Sequence, residues 1–273
     1  MTLQPAVYIV GAGPGDPELL TVKAQKLLAR ADVILFADSL VPKQILDGCR
    51  ADAEKIPTGN KTLEEILPLM VSPVRSGRSV VRLHSGDPTL YGAIHEQMQA
   101  LTEADIPFEV VPGIGAFQAA AAKLKVELTV PELVQTIILT RTSGAASAVP
   151  EAEELASLAA HRASLCLYLS ARHIETAQEK LMRYYPADTP VAVCYRLGWE
   201  DERIWVVPLS EVAALTQQEN LIRTTLYVIS PALAAGNMGR YASGIATSTR
   251  RATPTRSRLY HPEHGHLFRP LRT

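Results

Sequence analysis

Short apolar runs alternate along this chain with stretches whose apolar residues recur every three or four positions. In the first part, the apolar runs are predicted strands at 6–10, Val33–Phe36, 79–83 and Phe108–Val111. The stretches between them have the periodicity of amphipathic helices. The first of these helices is expected to begin at Pro17, with Asp16 as its N-cap. Strands that alternate with helices pair in parallel, with the helices crossing over the sheet. The pattern therefore predicts an α/β domain with a mostly parallel sheet.

A second series of apolar runs begins near Pro131. The predicted strands are 136–140, 165–169, 191–195, 203–207 and Thr225–Ile229, and the predicted helices are 151–160, 174–183 and 211–218. The short interval between the third and fourth of these strands predicts a hairpin, and therefore a mixed sheet. We thus expect an N-terminal α/β domain over residues 1–115, a C-terminal α/β domain over 116–235, and a basic tail over 236–273.

Charge and composition exclude some classes of protein. The 273 residues carry 27 basic and 28 acidic side chains, and seven of the arginines lie in the tail. The body is therefore acidic, which argues against nucleic acid as a partner. The three cysteines are isolated, as in a reducing compartment, and no run reaches the length of a membrane span. We expect a cytoplasmic protein that does not bind membranes.

Three glycine-containing loops follow predicted strands. They contain Gly11 to Asp16, Ser85 to Pro88, and Pro112 to Ala116. Open α/β sheets bind ligands at the carboxyl ends of their strands, so these loops form a candidate site, although each alone could be a structural turn. The first loop is not a good dinucleotide fingerprint, since Asp16 and Glu18 stand where a third glycine is needed.

Two further features carry potential chemistry. Asp38 follows the strand Val33–Phe36, where it could be a general base, a substrate anchor or a helix N-cap. His261, His264 and His266 have the spacing of metal ligands but lie in the basic tail, where Glu263 is the one acidic residue and there is no cysteine. We predict no metal site.

Taken in order, three blocks of sequence resemble the tetrapyrrole methylases, which use S-adenosylmethionine to methylate precorrins and uroporphyrinogen III. The blocks are residues 7–17, residues 82–88 with Tyr91 and Gly92, and residues 111–114. The resemblance spans about residues 7–231. Segments 31–41, 139–144 and 257–260 are most similar to one precorrin-methylating branch of the family.

The resemblance implies a two-domain homodimer that binds S-adenosylmethionine in the cleft between its domains. The residues implied to contact this cofactor are Pro14, Ser85, Gly86, Asp87, Leu90, Gly115, Ala116, Leu169 and Leu197. Asp38 matches a proposed proton acceptor in the family, and Lys61 lies near a proposed donor. Two positions depart from the relatives: Gly115 replaces Ser or Thr, and Leu197-Gly198 replaces Ala-Ser.

A precorrin carries many carboxylates, so we expect cationic groups at the ends of strands to anchor it. The candidate substrate-binding residues are Asp16, Arg82, Tyr91, Arg141, Arg172 and Arg196. Methyl transfer from a sulfonium needs mainly positioning and no covalent enzyme intermediate. Three alternatives stay open: another member of the family, a nicotinamide-dependent oxidoreductase, and a tetrapyrrole-binding protein without catalysis.

Overall fold

The computed structural model describes residues 3–143 and 148–235, together with residues 263 and 269. The chain divides into two units. Unit 1 comprises Met1–Ala119 and Arg196–Glu202, and unit 2 comprises Ala120–Tyr195 and Arg203–Thr273. Each unit is built on its own five-stranded sheet.

All strands of the sheet in unit 1 run parallel. Their bounds are β1 (Val7–Gly11), β2 (Val33–Phe36), β3 (Glu54–Pro57), β4 (Val80–His84) and β5 (Phe108–Val111). The order across the sheet is β3-β2-β4-β1-β5, so β1 lies between β4 and β5. The prediction of an α/β fold with a parallel first sheet is confirmed.

Helices cover both faces of this sheet. They are α1 (Val22–Leu28), α2 (Leu63–Arg75) and α3 (Ile94–Glu103), and α4 (Ala116–Leu124) follows β5. Alternate residues of the strands pack against α1 on one face and against α2 and α3 on the other, in two separate apolar cores. The chain leaves β1 toward α1 and leaves β4 toward α3, on opposite faces. Because the connections after β1 and β4 leave to opposite faces of the sheet, they leave a crevice at the carboxyl ends of these two neighbouring strands.

The structure corrects two sequence predictions in unit 1. Strand β3 was not predicted, because Glu54–Pro57 contains a single aliphatic residue and ends in proline. The first helix begins at Val22, with Thr21 as its N-cap. Asp16 and Pro17 instead start a separate turn of 3₁₀ helix, Pro17–Leu19, which ends because Leu20 is extended.

The sheet of unit 2 is mixed, as predicted. Its strands are β6 (Ile137–Arg141), β7 (Ser164–Tyr168), β8 (Pro190–Tyr195), β9 (Arg203–Pro208) and β10 (Thr225–Ile229). The order is β6-β7-β10-β8-β9, in which only β6 and β7 pair in parallel. The predicted hairpin is β8 and β9.

Three helices cover one face of the second sheet, and a short fourth helix follows β10. They are α5 (Leu155–Ala159), α6 (Ile174–Leu181), α7 (Val212–Gln218) and α8 (Ala232–Ala235). The helix predicted over 151–160 is divided, because Glu154 adopts an extended backbone after the turn Glu151–Glu153. Cys166 and Cys194 are buried thiols, and burial raises the pKa of Cys166 to about 12.

Candidate functional site

The three glycine loops meet at the carboxyl edge of the first sheet. Gly13 and Gly86 exchange backbone hydrogen bonds: the amide of Gly86 donates to the carbonyl of Gly13 at 2.7 Å, and the reverse bond is 3.2 Å. This pair links the loops after β1 and β4, at the crevice where the chain diverges to opposite faces. The ligand-binding edge predicted from the sequence is therefore one continuous structure in unit 1.

Glycine is required where these loops touch. A Cβ at Gly11 would lie 2.6 Å from the Cα of Gly113, and a Cβ at Gly113 would lie 2.1 Å from the carbonyl oxygen of Gly86. A Cβ at Gly86 would meet nothing nearer than an oxygen of Ile114 at 4.0 Å. The first two glycines therefore permit close packing of backbone, whereas Gly86, with φ of +65°, borders open space.

Asp87 fastens the second loop to the third. Its Oδ2 accepts a hydrogen bond from the amide of Gly113 at 2.9 Å, and its Oδ1 accepts from the amide and hydroxyl of Thr89. Burial raises the pKa of the Asp87 carboxyl, but these hydrogen bonds outweigh burial and hold it below the usual range. The carboxylate is therefore ionised and engaged in organising the loops.

The segment Arg196–Glu202 packs against the first loop. The side-chain amide of Gln44 donates to the carbonyls of Gly15 at 3.0 Å and Gly198 at 3.3 Å. Gly198 has φ of +77°, and a Cβ there would lie 2.5 Å from the amide nitrogen of Asp16. The departure from the relatives at this position therefore suits the local backbone. Gln44 was not predicted, since its two partners are far apart in the sequence.

Two of the candidate substrate residues make local interactions near this segment. The guanidinium of Arg196 stacks 3.9 Å from the ring centroid of Trp199 and forms an ion pair with Asp201. Asp16 accepts a hydrogen bond from the amide of Glu18 at 2.9 Å. The indole nitrogen of Trp199 is buried without a hydrogen-bond partner among the described residues.

Asp38 and Lys61 belong to adjacent loops, after β2 and β3. Asp38 is exposed, and its Oδ1 accepts a hydrogen bond from the amide of Gly59 at 2.8 Å. The amide of Lys61 closes the same turn by donating to the carbonyl of Thr58 at 3.2 Å. Strand β3, absent from the sequence prediction, is the element that brings these loops together.

Arg82 and His84 lie on the same face of β4 and are both buried. The guanidinium of Arg82 donates to Oγ1 of Thr58 at 2.7 Å and to Oε1 of Gln97 at 3.3 Å. Burial lowers the pKa of Arg82 to about 10, so the side chain stays charged at neutral pH. Burial, aided by the charge of Arg82, lowers the pKa of His84 to about 3 and keeps the imidazole neutral.

The other predicted site residues have diverse surroundings. In unit 1, Pro14, Gly115 and Leu197 are buried, Ser85, Leu90 and Ala116 are half-buried, and Tyr91 is exposed with φ of 56°. In unit 2, Leu169 is 69% exposed, with φ of 52°. Arg141 donates hydrogen bonds to the carbonyls of Thr142 and Ala148. Arg172 lines a surface pocket with Glu175 and Gln217.

Some sequence features fall outside the described residues, namely the three tail histidines and the segment 257–260. Within residues 3–143 and 148–235, no group of three acidic, histidine or cysteine side chains is arranged to hold a metal. Across the same ranges, every helix is too short or too polar to cross a bilayer.

The fold and the interlocked loops define a class of protein. The model of the Tetrapyrrole (Corrin/Porphyrin) Methylases matches residues 6–213, and the chain belongs to this family. It is 44% identical to a precorrin-4 C(11)-methyltransferase of Pseudomonas aeruginosa, over 97% of this chain and 98% of that protein.

Solved structures agree with this assignment. A cobalt precorrin-4 methyltransferase is 40% identical, with a TM-score of 0.80 over 84% of this chain and 96% of that one. A uroporphyrin-III C-methyltransferase of Thermus thermophilus, solved with S-adenosylhomocysteine, is 28% identical, with a TM-score of 0.71 over 84% of this chain and 98% of that one.

Proposed function

We propose that this protein transfers the methyl group of S-adenosylmethionine to C11 of precorrin-4 or cobalt-precorrin-4, a step of cobalamin biosynthesis. The observation that carries the proposal is the near full-length match to a precorrin-4 C(11)-methyltransferase. The three interlocked glycine loops support it, since they are the parts of the chain in which the family signatures lie. We further propose a cytoplasmic homodimer, as the family resemblance implies.

The loops have features that fit S-adenosylmethionine. Gly86 borders open space, and Gly11 and Gly113 pack closely beside it with backbone atoms alone, so no side chain of these glycines occupies the space at the loops. In unit 1 we assign the cofactor to Pro14, Ser85, Gly86, Asp87, Leu90, Gly115, Ala116 and Leu197, and in unit 2 to Leu169. Asp87 acts through its backbone in this scheme, because its carboxylate is already bonded to Thr89 and Gly113.

When bound, the cofactor supplies a sulfonium-activated methyl group. The chain then has to hold a carbon nucleophile of the substrate in line with that methyl, which in ideal intramolecular reactions contributes up to about 7–11 kcal/mol. Asp38 accepts the proton that the substrate loses on methylation, and Lys61 is the proton donor that the family resemblance implies. Asp16, Tyr91, Arg141, Arg172 and Arg196 stay predictions as substrate-binding residues. Arg82 was a sixth candidate from the sequence, but its side chain is buried.

The test is incubation with labelled S-adenosylmethionine and either metal-free or cobalt-bearing precorrin-4, followed by mass and NMR analysis of the product. A new methyl group at C11 supports the proposal, and the preferred substrate decides between the two forms. A methyl group at another carbon would reassign the protein within the family. Binding of S-adenosylhomocysteine without methylation of any precorrin would favour a protein without catalysis.

A further inference from the structure

Arg82 is a buried cation that has no acidic partner in the part of the chain that the structure describes. It is 7% exposed, on the face of the first sheet that α2 and α3 cover. Among the described residues no carboxylate oxygen lies within 4.0 Å of its guanidinium. Burying an unpaired charge is unfavourable. The hydrogen bonds of Arg82 go to two neutral side chains, Thr58 and Gln97, which belong to different elements.

Thr58 connects Arg82 to the loop that holds Asp38. Its hydroxyl accepts from Arg82 and donates to the carbonyl of Phe36 at 3.1 Å, while its amide donates to the same carbonyl at 2.9 Å. The next residue, Gly59, donates its amide to the carboxylate of Asp38. A continuous set of hydrogen bonds thus runs from Arg82 through the turn at residues 58–61 to Asp38.

We propose that Arg82 is a positioning residue, which holds Thr58 and thereby fixes the turn at 58–61 and the carboxylate of Asp38. The inference rests on the proposed function, in which Asp38 accepts the proton. It assigns to Arg82 an internal role in place of direct contact with substrate. The planar guanidinium suits this role because its fork of donors reaches two acceptors at once, which a lysine ammonium does less well.

The experiment compares four variants: Arg82→Met, Arg82→Lys, Thr58→Val and the double variant Arg82→Met/Thr58→Val. Amide hydrogen exchange at Gly59 and Lys61 reports on the turn without any substrate. Steady-state kinetics with precorrin-4 and calorimetry with S-adenosylhomocysteine report on the reaction and on the cofactor loops. Ser79→Ala is the matched control, since Ser79 is a buried polar residue beside the start of β4 that bonds to Asp32, away from the turn.

We expect Arg82→Met and Thr58→Val each to speed exchange at Gly59 and Lys61 by about tenfold, as for loss of one hydrogen bond to a charged group. The kcat should fall by a similar factor, about tenfold, while affinity for S-adenosylhomocysteine stays within about twofold. Arg82→Lys should recover part of the kcat. The double variant should have about the same exchange rates and kcat as either single variant, because both substitutions remove the same hydrogen bond between Arg82 and Thr58. Ser79→Ala should leave exchange at the turn unchanged.

Unchanged exchange at Gly59 and Lys61 in Arg82→Met would overturn the proposal. So would faster exchange combined with wild-type kcat, or additive effects in the double variant. If the wild-type protein methylated no precorrin, the proposed function would fail. The exchange rates would then still decide whether Arg82 fixes the turn.

Discussion

Replacing Gly113 by alanine should strongly destabilise unit 1. The new Cβ would lie 2.1 Å from the carbonyl oxygen of Gly86, 2.9 Å from the Cα of Gly11 and 3.1 Å from its carbonyl carbon. All three are backbone atoms, so no side-chain rotation relieves the collision. Overpacked sites cost about 1–3 kcal/mol, and we expect about 3 kcal/mol here because two strand ends must separate.

Urea unfolding measures this loss as a lower midpoint with an unchanged m-value. For about 3 kcal/mol, Tm should fall by about 6–12 °C. Calorimetry should also show at least tenfold weaker binding of S-adenosylhomocysteine, about 1.4 kcal/mol, because the collision displaces the loop of Gly86.

Alanine substitutions at two other glycines are controls for the effect of adding a methyl group where no collision occurs. A Cβ at Gly48 would meet nothing within 4 Å, so Gly48→Ala should leave stability unchanged or raise it by about 0.5 kcal/mol. Gly77 also has open surroundings but a φ of +80°, so Gly77→Ala should cost about 1 kcal/mol from the backbone alone. If Gly113→Ala matched Gly48→Ala in stability, the close packing of the loops would be refuted.

Three further predictions concern other parts of the molecule. Asp38→Asn should lower kcat by about a hundredfold or more without weakening S-adenosylhomocysteine binding, as expected of a proton acceptor, and a wild-type kcat would exclude that role. The pKa of His84 is lowered to about 3 in the folded protein, so its imidazole stays neutral there, whereas in the unfolded chain it takes up a proton below about pH 6.5. His84 should therefore lower the free energy of unfolding by about 2 kcal/mol between pH 7 and pH 5. Urea unfolding of His84→Gln should lack that part of the loss, and an identical pH dependence would contradict the assignment. Ser164→Ala should cost about 1–3 kcal/mol in unfolding free energy, because the buried Ser164 hydroxyl donates to the carbonyl of Leu128 and pairs with Ser230, and a loss below about 0.5 kcal/mol would contradict this.

Continuous apolar strands were predicted well because burial on both faces leaves a clear signal. The bounds of Val33–Phe36, Phe108–Val111 and Thr225–Ile229 match the structure. Glu54–Pro57 was missed because it is an edge strand, held by pairing with β2 and mostly exposed. Its pairing partner, and not its composition, makes it a strand. Tertiary context of this kind is absent from local sequence patterns.

The same limit applies to the site. The convergence of the three glycine loops followed from their positions after strands, because parallel strands end at one edge. Other contacts could not be predicted, because they join residues 15 or more positions apart. These are the hydrogen bond of Gly113 to Asp87 and the hydrogen bonds of Arg82 to Thr58 and Gln97. From the sequence, both residues were predicted to contact ligands, and that stays a prediction. The structure adds that the carboxylate of Asp87 bonds to Gly113 and Thr89, and that the guanidinium of Arg82 bonds to Thr58 and Gln97.

The reciprocal bonds between Gly13 and Gly86, with the bond from Gly113 to Asp87, have a consequence for protein engineering. The three loops form one hydrogen-bonded unit, although they are spread over about a hundred residues of sequence. Transplanting a single loop from a relative with another regiochemistry would pair it with ill-matched neighbours. Grafts intended to change which carbon is methylated should therefore exchange the three loops together.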